Sequence, residues 1–214
     1  MKDLSNYRKS YDKNELLEST IPNNPMELFN TWFQEVENSK TVEEANAMTI
    51  STIGLDGFPK SRVVLLKQYN EDGFTFYTNY DSQKGKAIAE NPKICLSFFW
   101  PSIEQQVIIK GEAKKVSSLI SDTYFASRPK GSQLGAAVSN QSSVIDSREV
   151  LVKKLKELEE KYENTAIERP ENWGGYIVVP HEIEFWQGRP NRLHDRISYK
   201  LQEKNTWKIE RLSP

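Results

Sequence analysis

The segment 184–196, EFWQGRPNRLHDR, carries more hydrogen-bonding side chains than a strand that merely closes a sheet requires. It gathers Trp186, Gln187, Arg189, Arg192, His194, Asp195 and Arg196, and His194 is one of only two histidines in the chain. Successive side chains of a strand point to opposite faces. An extended 192–196 would therefore set Arg192, His194 and Arg196 on one face. Two guanidinium groups flanking an imidazole suit a planar, anionic ligand. The competing reading is a solvated edge strand whose charges deter aggregation.

Further anion-binding equipment lies upstream. SRVVLLK carries Arg62 and Lys67 around an apolar run. FYTNYDSQKGK carries Tyr77, Thr78, Ser82 and Lys84 where a strand enters a helix, whose first N–H groups are free to meet an anion. YFASRPKGSQLG sets Tyr124, Arg128 and Ser132 around a helix end, and SNQSS at 139–143 is a run of small polar residues. A lone Arg or Ser on a loop is usually solvated, so the weight falls on the clusters together. Arg62 and Lys67 are five apart, which puts them on opposite faces of a regular strand. A bulge, or reach around a strand end, is required if both serve one site.

Other chemistries find no support. Neither the glycine-rich dinucleotide fingerprint nor the P-loop occurs. Two histidines and one cysteine, far apart, make a poor zinc set. His194 and Asp195 are adjacent and no nucleophile elbow is present, which argues against hydrolysis. Lys and Arg number 29 against 30 Asp and Glu, so bulk charge favours neither a nucleic-acid nor a membrane partner. The single cysteine, Cys95, sits in an apolar run and reads as a core thiol in a reducing compartment. The N-terminus lacks the apolar stretch of a signal peptide, and no run approaches the roughly 18 apolar residues of a membrane span. These features suggest a soluble, cytoplasmic protein.

The elements that must position these residues are mostly short strands. Residues 1–20 are polar and read as a mobile arm ahead of one domain spanning 21–214. Asn24, Pro25 and Glu27 predict a capped helix start, with Leu28, Phe29, Trp32, Phe33 and Val36 as its apolar stripe. Strands are expected at AMTISTI, KSRVVLLKQY, FTFYTN, KICLSFFW, QQVIIKGEAKKV, GGYIVVP, EIEFWQG, RISYKLQ and WKIERL. A short helix capped by Asp81 precedes Pro92, and further helices are expected over 117–127 and about 143–163. In the last, Val150, Leu151, Leu155 and Leu158 form the stripe to be buried. The expected fold is α+β, a closed or partly closed antiparallel barrel with added helices.

The blocks RVVLLK, FYTN, QQV, YFASRP, SQLGAAVSNQSS, WGGY, EFWQG and RLHDR follow the order seen in pyridoxine/pyridoxamine 5'-phosphate oxidases, and the chain resembles that family from about residue 8 to Pro214. The resemblance implies a homodimeric, FMN-dependent split β-barrel. Such an enzyme oxidises pyridoxamine 5'-phosphate or pyridoxine 5'-phosphate to pyridoxal 5'-phosphate, with O2 reduced to H2O2. It implies FMN contacts at Arg62, Val63, Val64, Leu65, Leu66 and Lys67, then Tyr77, Thr78, Gln83, Lys84, Gln106, Trp186 and Arg196. Gln141 and Ser142 would reach the flavin from the partner subunit. Lys67, Tyr124, Arg128 and Ser132 would hold the substrate phosphate. Arg192 and His194 would face the pyridine ring as catalytic residues, and Arg8 and Tyr11 belong to an arm that closes over the substrate. Gln83 departs from the pattern, standing where the family commonly has an arginine. The alternatives are another split-barrel flavoprotein, such as a flavin reductase, or a non-catalytic pyridoxal phosphate or FMN-binding module.

Overall fold

The first helix shows how local chemistry sets the elements. In a computed structural model describing residues 1–214, α1 spans Pro25–Ser39, with the Asn24 side chain accepting from the Met26 N–H. Proline at the first position loses no helical bond, and the capping oxygen satisfies a donor that the helix leaves free. The expected stripe of Leu28, Phe29, Trp32, Phe33 and Val36 is buried. Its Phe29 packs on Phe98 and Trp100, and Trp32 meets Phe185 edge-on with centroids 5.1 Å apart.

Nine strands follow: β1 Ala47–Ile53, β2 Pro59–Leu65, β3 Gln68–Asn70, β4 Gly73–Asn79, β5 Lys93–Trp100, β6 Gln105–Lys115, β7 Trp173–Gln187, β8 Asp195–Leu201 and β9 Trp207–Arg211. They form one sheet in the order β2-β1-β5-β6-β7-β4-β3, with β8 on β7 and β9 on β8. The pairs β3–β4, β4–β7, β7–β8 and β8–β9 are antiparallel. The remaining helices are α2 Gln83–Glu90, α3 Ser118–Ser127, α4 Lys130–Val138 and α5 Arg148–Lys161. No helix is long and apolar enough to cross a membrane.

The chain divides into two compact units. The first comprises Met1–Ile50, Cys95–Gly111 and Pro180–Pro214, the second Ser51–Ile94 and Glu112–Val179. In the first, the aromatic cluster under α1 is the core. In the second, Phe125, Leu134, Ile167 and Trp173 form a cluster against which Leu155 and Leu158 of α5 pack.

Several elements differ from the sequence reading, each for an identifiable reason. The run KSRVVLLKQY is two strands, because the Lys67 N–H turns away to the Thr75 carbonyl at 2.8 Å. GGYIVVP and EIEFWQG are one strand of 15 residues that continues through Pro180. Helix α2 is capped by Ser82, whose hydroxyl accepts from the Gly85 N–H, and not by Asp81. Asp81 instead accepts from Asn172. Helix α4 was not expected, since Gly131 and Gly135 lower its intrinsic propensity. Its own Gln133 ties it to α3: the side-chain amide donates to the carbonyls of Phe125, Ala126 and Arg128 at the end of α3. Helix α5 starts only at Arg148 and buries none of its residues fully, so its stripe is half-covered in the single chain. Within residues 1–20, Leu16 is buried and its N–H donates to Asp195.

Candidate active site

Strands β2 and β4, Lys67, α3 and α4 line an open cavity of about 510 Å³ in the second unit. Its lining includes Val63, Val64, Leu65, Lys67, Tyr77, Thr78, Lys84, Tyr124, Arg128, Ser132 and Gln141. Three cations face it and no carboxylate does. That imbalance is costly unless an anion completes the site, because like charges in a partly desolvated cleft repel one another. Burial pushes the pKa of both Lys84 and Arg128 down, and the nearby Arg62 pushes Lys84 further the same way.

Aromatic rings shape one wall. Tyr77 and Tyr124 stack with centroids 3.8 Å apart, and Trp173 lies nearly parallel to both. The Arg128 guanidinium sits 4.7 Å over the Trp173 ring. This stack needs Gly175, which faces Tyr77 across the β4–β7 ladder. A Cβ at Gly175 would come within 2.8 Å of the Tyr77 ring. Two buried polar atoms here have no partner: Arg128 Nη1 and the Tyr77 hydroxyl. Each such atom costs about 1–3 kcal/mol when left unpaired.

At the start of α2, Gln141 Oε1 accepts from Thr78 Oγ1 at 3.2 Å and from Lys84 Nζ at 3.1 Å. The Gln83 N–H donates to Ser142 Oγ at 3.3 Å. Gln141 and Ser142 therefore meet the α2 end of their own chain. Gln83 has an exposed side chain whose Oε1 accepts from Lys60 Nζ at 3.4 Å. Arg62 donates to Thr52 and, with Lys60, Gln83 and Lys86, lines a separate cavity of about 190 Å³. Arg62 and Lys67 thus line different cavities, and no bulge is needed to reconcile their spacing. Leu66 is buried in the core and Lys67 exposed.

In the first unit, Arg8, Tyr11, Arg189, Asn191, Arg192 and His194 line a cavity of about 710 Å³. Residues 192–194 are not extended: Asn191 and Arg192 adopt left-handed φ values of 57° and 61° in a tight turn, and β8 begins at Asp195. The shared face expected of Arg192, His194 and Arg196 is therefore replaced by a turn. Arg196 lies opposite Trp186 on the ladder, where it pairs with Glu184 at 2.8 Å and donates to the Ser213 carbonyl. His194 packs on Trp186 at 4.7 Å and its Nδ1 accepts from the Arg189 N–H at 3.0 Å. Burial lowers the His194 pKa, Arg192 lowers it further, and Asp195 opposes both. Gln106 is half-buried at the start of β6.

Some contributors left no trace in the motifs. Gln133 ties α3 to α4, Asn79 accepts from the Asp81 N–H and donates to the Ser139 carbonyl, and Lys60 reaches Gln83. Only the N-x-D spacing at 79–81, typical of a side chain bonding the backbone two residues on, was a usable signal.

The comparisons with known proteins agree over the whole chain. Residues 35–162 match the family described as pyridoxamine 5'-phosphate oxidase, and residues 173–214 match the pyridoxine 5'-phosphate oxidase C-terminal dimerisation region. A pyridoxine/pyridoxamine 5'-phosphate oxidase from Flavobacterium psychrophilum is 67% identical over 214 residues, covering 100% of both chains. One of the same name from Trichormus variabilis is 50% identical over 211 residues, covering 99% of this chain and 98% of its own. Among solved structures, PhzG from Burkholderia lata, in complex with tetrahydrophenazine-1-carboxylic acid, has a TM-score of 0.87 at 28% identity over 96% of this chain and all of its own. An FMN-binding, pyridoxamine 5'-phosphate oxidase-related protein from Nostoc punctiforme has a TM-score of 0.70 at 16% identity, covering 91% of this chain and 100% of its own. The fold is that of the split-barrel proteins, α+β as the sequence implied.

Proposed function

The chain belongs to the pyridoxine/pyridoxamine 5'-phosphate oxidase family, and from that premise we propose how its own residues carry out the oxidation that yields pyridoxal 5'-phosphate. The family is one of flavin-dependent oxidoreductases, and FMN is the flavin we assign here. The donor set fits an anionic, planar group: Lys84 and Thr78 beside the positive end of α2, and a cation-lined cleft without a carboxylate. Bound FMN would supply the two-electron acceptor for the hydride lost from the substrate C4' carbon, with O2 as final acceptor giving H2O2; water would release ammonia from the imine formed from the amine substrate, while the alcohol gives the aldehyde directly. The dimerisation region at 173–214 supports a homodimer. The half-buried free thiol of Cys95 fits a reducing, cytoplasmic setting.

The observation that carries the substrate assignment is the unpartnered, buried Arg128 Nη1 in a cavity shared with Lys67, Tyr124 and Ser132. A phosphate dianion supplies the missing acceptors, and charge-assisted bonds of about 1.5–3 kcal/mol each fix the ring for reaction. Arg192 and His194 act on the pyridine ring. The Arg189 N–H bond to Nδ1 puts the neutral imidazole's proton on Nε2, so His194 serves as a hydrogen-bond donor that orients the ring. In that state Nε2 has no lone pair free, so it does not take a proton from the substrate.

Phosphate discrimination tests this reading. The holoenzyme should oxidise pyridoxamine 5'-phosphate with a kcat/KM at least about a hundredfold above that for pyridoxamine, since at least two charge-assisted bonds are at stake. Equal efficiency for the two amines would refute the phosphate assignment.

A further inference from the structure

Glu104 is a fully buried carboxylate, 1% exposed, in the connection between β5 and β6. None of the flavin or substrate roles above uses it. Its backbone is left-handed at φ 60°, a conformation that costs a glutamate energy and persists only where its surroundings hold it. The reason lies in what its two ends bind. Glu104 Oε2 accepts from the backbone N–H groups of Asp12 at 2.9 Å and Lys13 at 3.2 Å, and Oε1 pairs with Lys9 Nζ at 3.4 Å. Its own carbonyl accepts from the Gly188 N–H at 2.8 Å and from the Gln187 amide at 3.2 Å. One residue thus clamps the N-terminal segment with its side chain and the end of β7 with its backbone.

Tyr11 lies between those anchor points. It meets Trp186 edge-on at 5.7 Å and His194 at 5.9 Å. Residue 188 must be glycine for this approach, since a Cβ there would sit 2.8 Å from the Tyr11 side chain. Arg8 lines the same cavity as Tyr11, Arg192 and His194. A buried carboxylate is retained only when its bonds are made, and here every bond it makes from the side chain goes to residues 9–13.

We propose that Glu104 is a positioning residue: a latch that holds segment 9–13 in place and so presents Arg8 and Tyr11 to the Arg192–His194 cavity. The kinetic part of this inference rests on the reading above, in which that cavity meets the substrate. The latch itself does not. Loss of the acceptor frees two backbone donors and one ammonium, and the segment then opens to solvent. The downstream ties, Leu16 to Asp195 and Arg211 to Glu18, keep the rest of the arm in place.

The test uses the full-length holoenzyme with Glu104→Asn and Glu104→Gln. Asparagine tolerates the left-handed backbone, so a defect in that variant is not backbone strain, yet its side chain is too short to reach residues 12 and 13. Glutamine keeps an acceptor at full length. In Glu104→Asn, tryptic cleavage after Lys9 and Lys13, located by mass, should accelerate about tenfold or more, the loss expected from charge-assisted bonds. KM for pyridoxamine 5'-phosphate should rise severalfold, with kcat and the FMN dissociation constant unchanged. Glu104→Gln should restore most of both. In a Tyr11→Ala background Glu104→Asn should add little to KM, because the two act through one segment. Wild-type cleavage rates in Glu104→Asn, or loss of FMN in place of a KM effect, would overturn the latch. Faster cleavage with an unchanged KM would leave the latch standing and refute the substrate role of the arm.

Discussion

Replacing Arg128 by methionine separates a ligand-binding arginine from a structural one. In the free protein the guanidinium stacks on Trp173 but leaves Nη1 buried and unpaired. Methionine keeps a flexible apolar contact with the ring and removes the unsatisfied donor. The donor's removal gains about 1 kcal/mol at the low end of the range, since Arg128 is only half-buried. The lost cation–π contact costs about 0.5–1 kcal/mol. The two nearly cancel, so Tm should move by less than about 4 °C, the shift of one kcal/mol in a chain of this size. Substrate binding has no such cancellation. Losing one charge-assisted bond to phosphate costs about 1.5–3 kcal/mol, which raises KM by about tenfold to a hundredfold or more. Thermal unfolding of the holoenzyme and steady-state kinetics with pyridoxamine 5'-phosphate read the two effects. A large drop in Tm with an unchanged KM would show that Arg128 braces the α3–α4 junction and binds nothing.

Three further outcomes are expected. Gln83→Arg should tighten FMN about fivefold, the worth of about 1 kcal/mol, with a stronger salt dependence. Apoprotein Tm should fall, because the new cation replaces an acceptor for Lys60 and joins Arg62 and Lys86 around one cavity; titration of apoprotein with FMN at two salt concentrations decides, and equal affinity in both versions refutes it. His194 has a depressed pKa, so the fold favours its neutral form; that stabilisation is complete above the unfolded value near 6.5 and is lost as pH falls through the lower folded value. Protonation at Nδ1 also breaks the Arg189 N–H bond, so kcat/KM should decline on the acid side. Arg192→Gln removes a lowering charge and should move that limb to higher pH; an unmoved limb contradicts the coupling. If the dimer completes the flavin site, FMN should shift association toward it. Sedimentation of dilute apo and FMN-loaded protein with the same dissociation constant would contradict this.

How much of this was legible in the sequence depended on range. The start of α1 was readable because Asn24 and Pro25 act on their own helix. Tyr77, Tyr124, Arg128 and Ser132 stood out because they are polar or amphipathic residues set beside apolar runs, and they do line one cavity. What failed depended on contacts distant in sequence or on rare backbone. The left-handed pair Asn191–Arg192 undid the face expected of Arg192, His194 and Arg196, and Arg196 went to Glu184 on the neighbouring strand. Helix α4 forms despite its glycines because Gln133 and the Leu134 cluster hold it. Glu104 looked like an ordinary charged residue, since the backbone groups its side chain binds lie more than ninety positions away.

Flavin colour reports directly whether this chain oxidises a phosphorylated vitamin B6 amine through a bound flavin. Purified protein loaded with FMN should lose its yellow absorbance when pyridoxamine 5'-phosphate is added without oxygen. The absorbance should return on admitting air, with one H2O2 and one pyridoxal 5'-phosphate formed for each flavin cycle. Flavin that stays oxidised with pyridoxamine 5'-phosphate and with pyridoxine 5'-phosphate, in protein shown to bind both FMN and substrate, would rule out that oxidation.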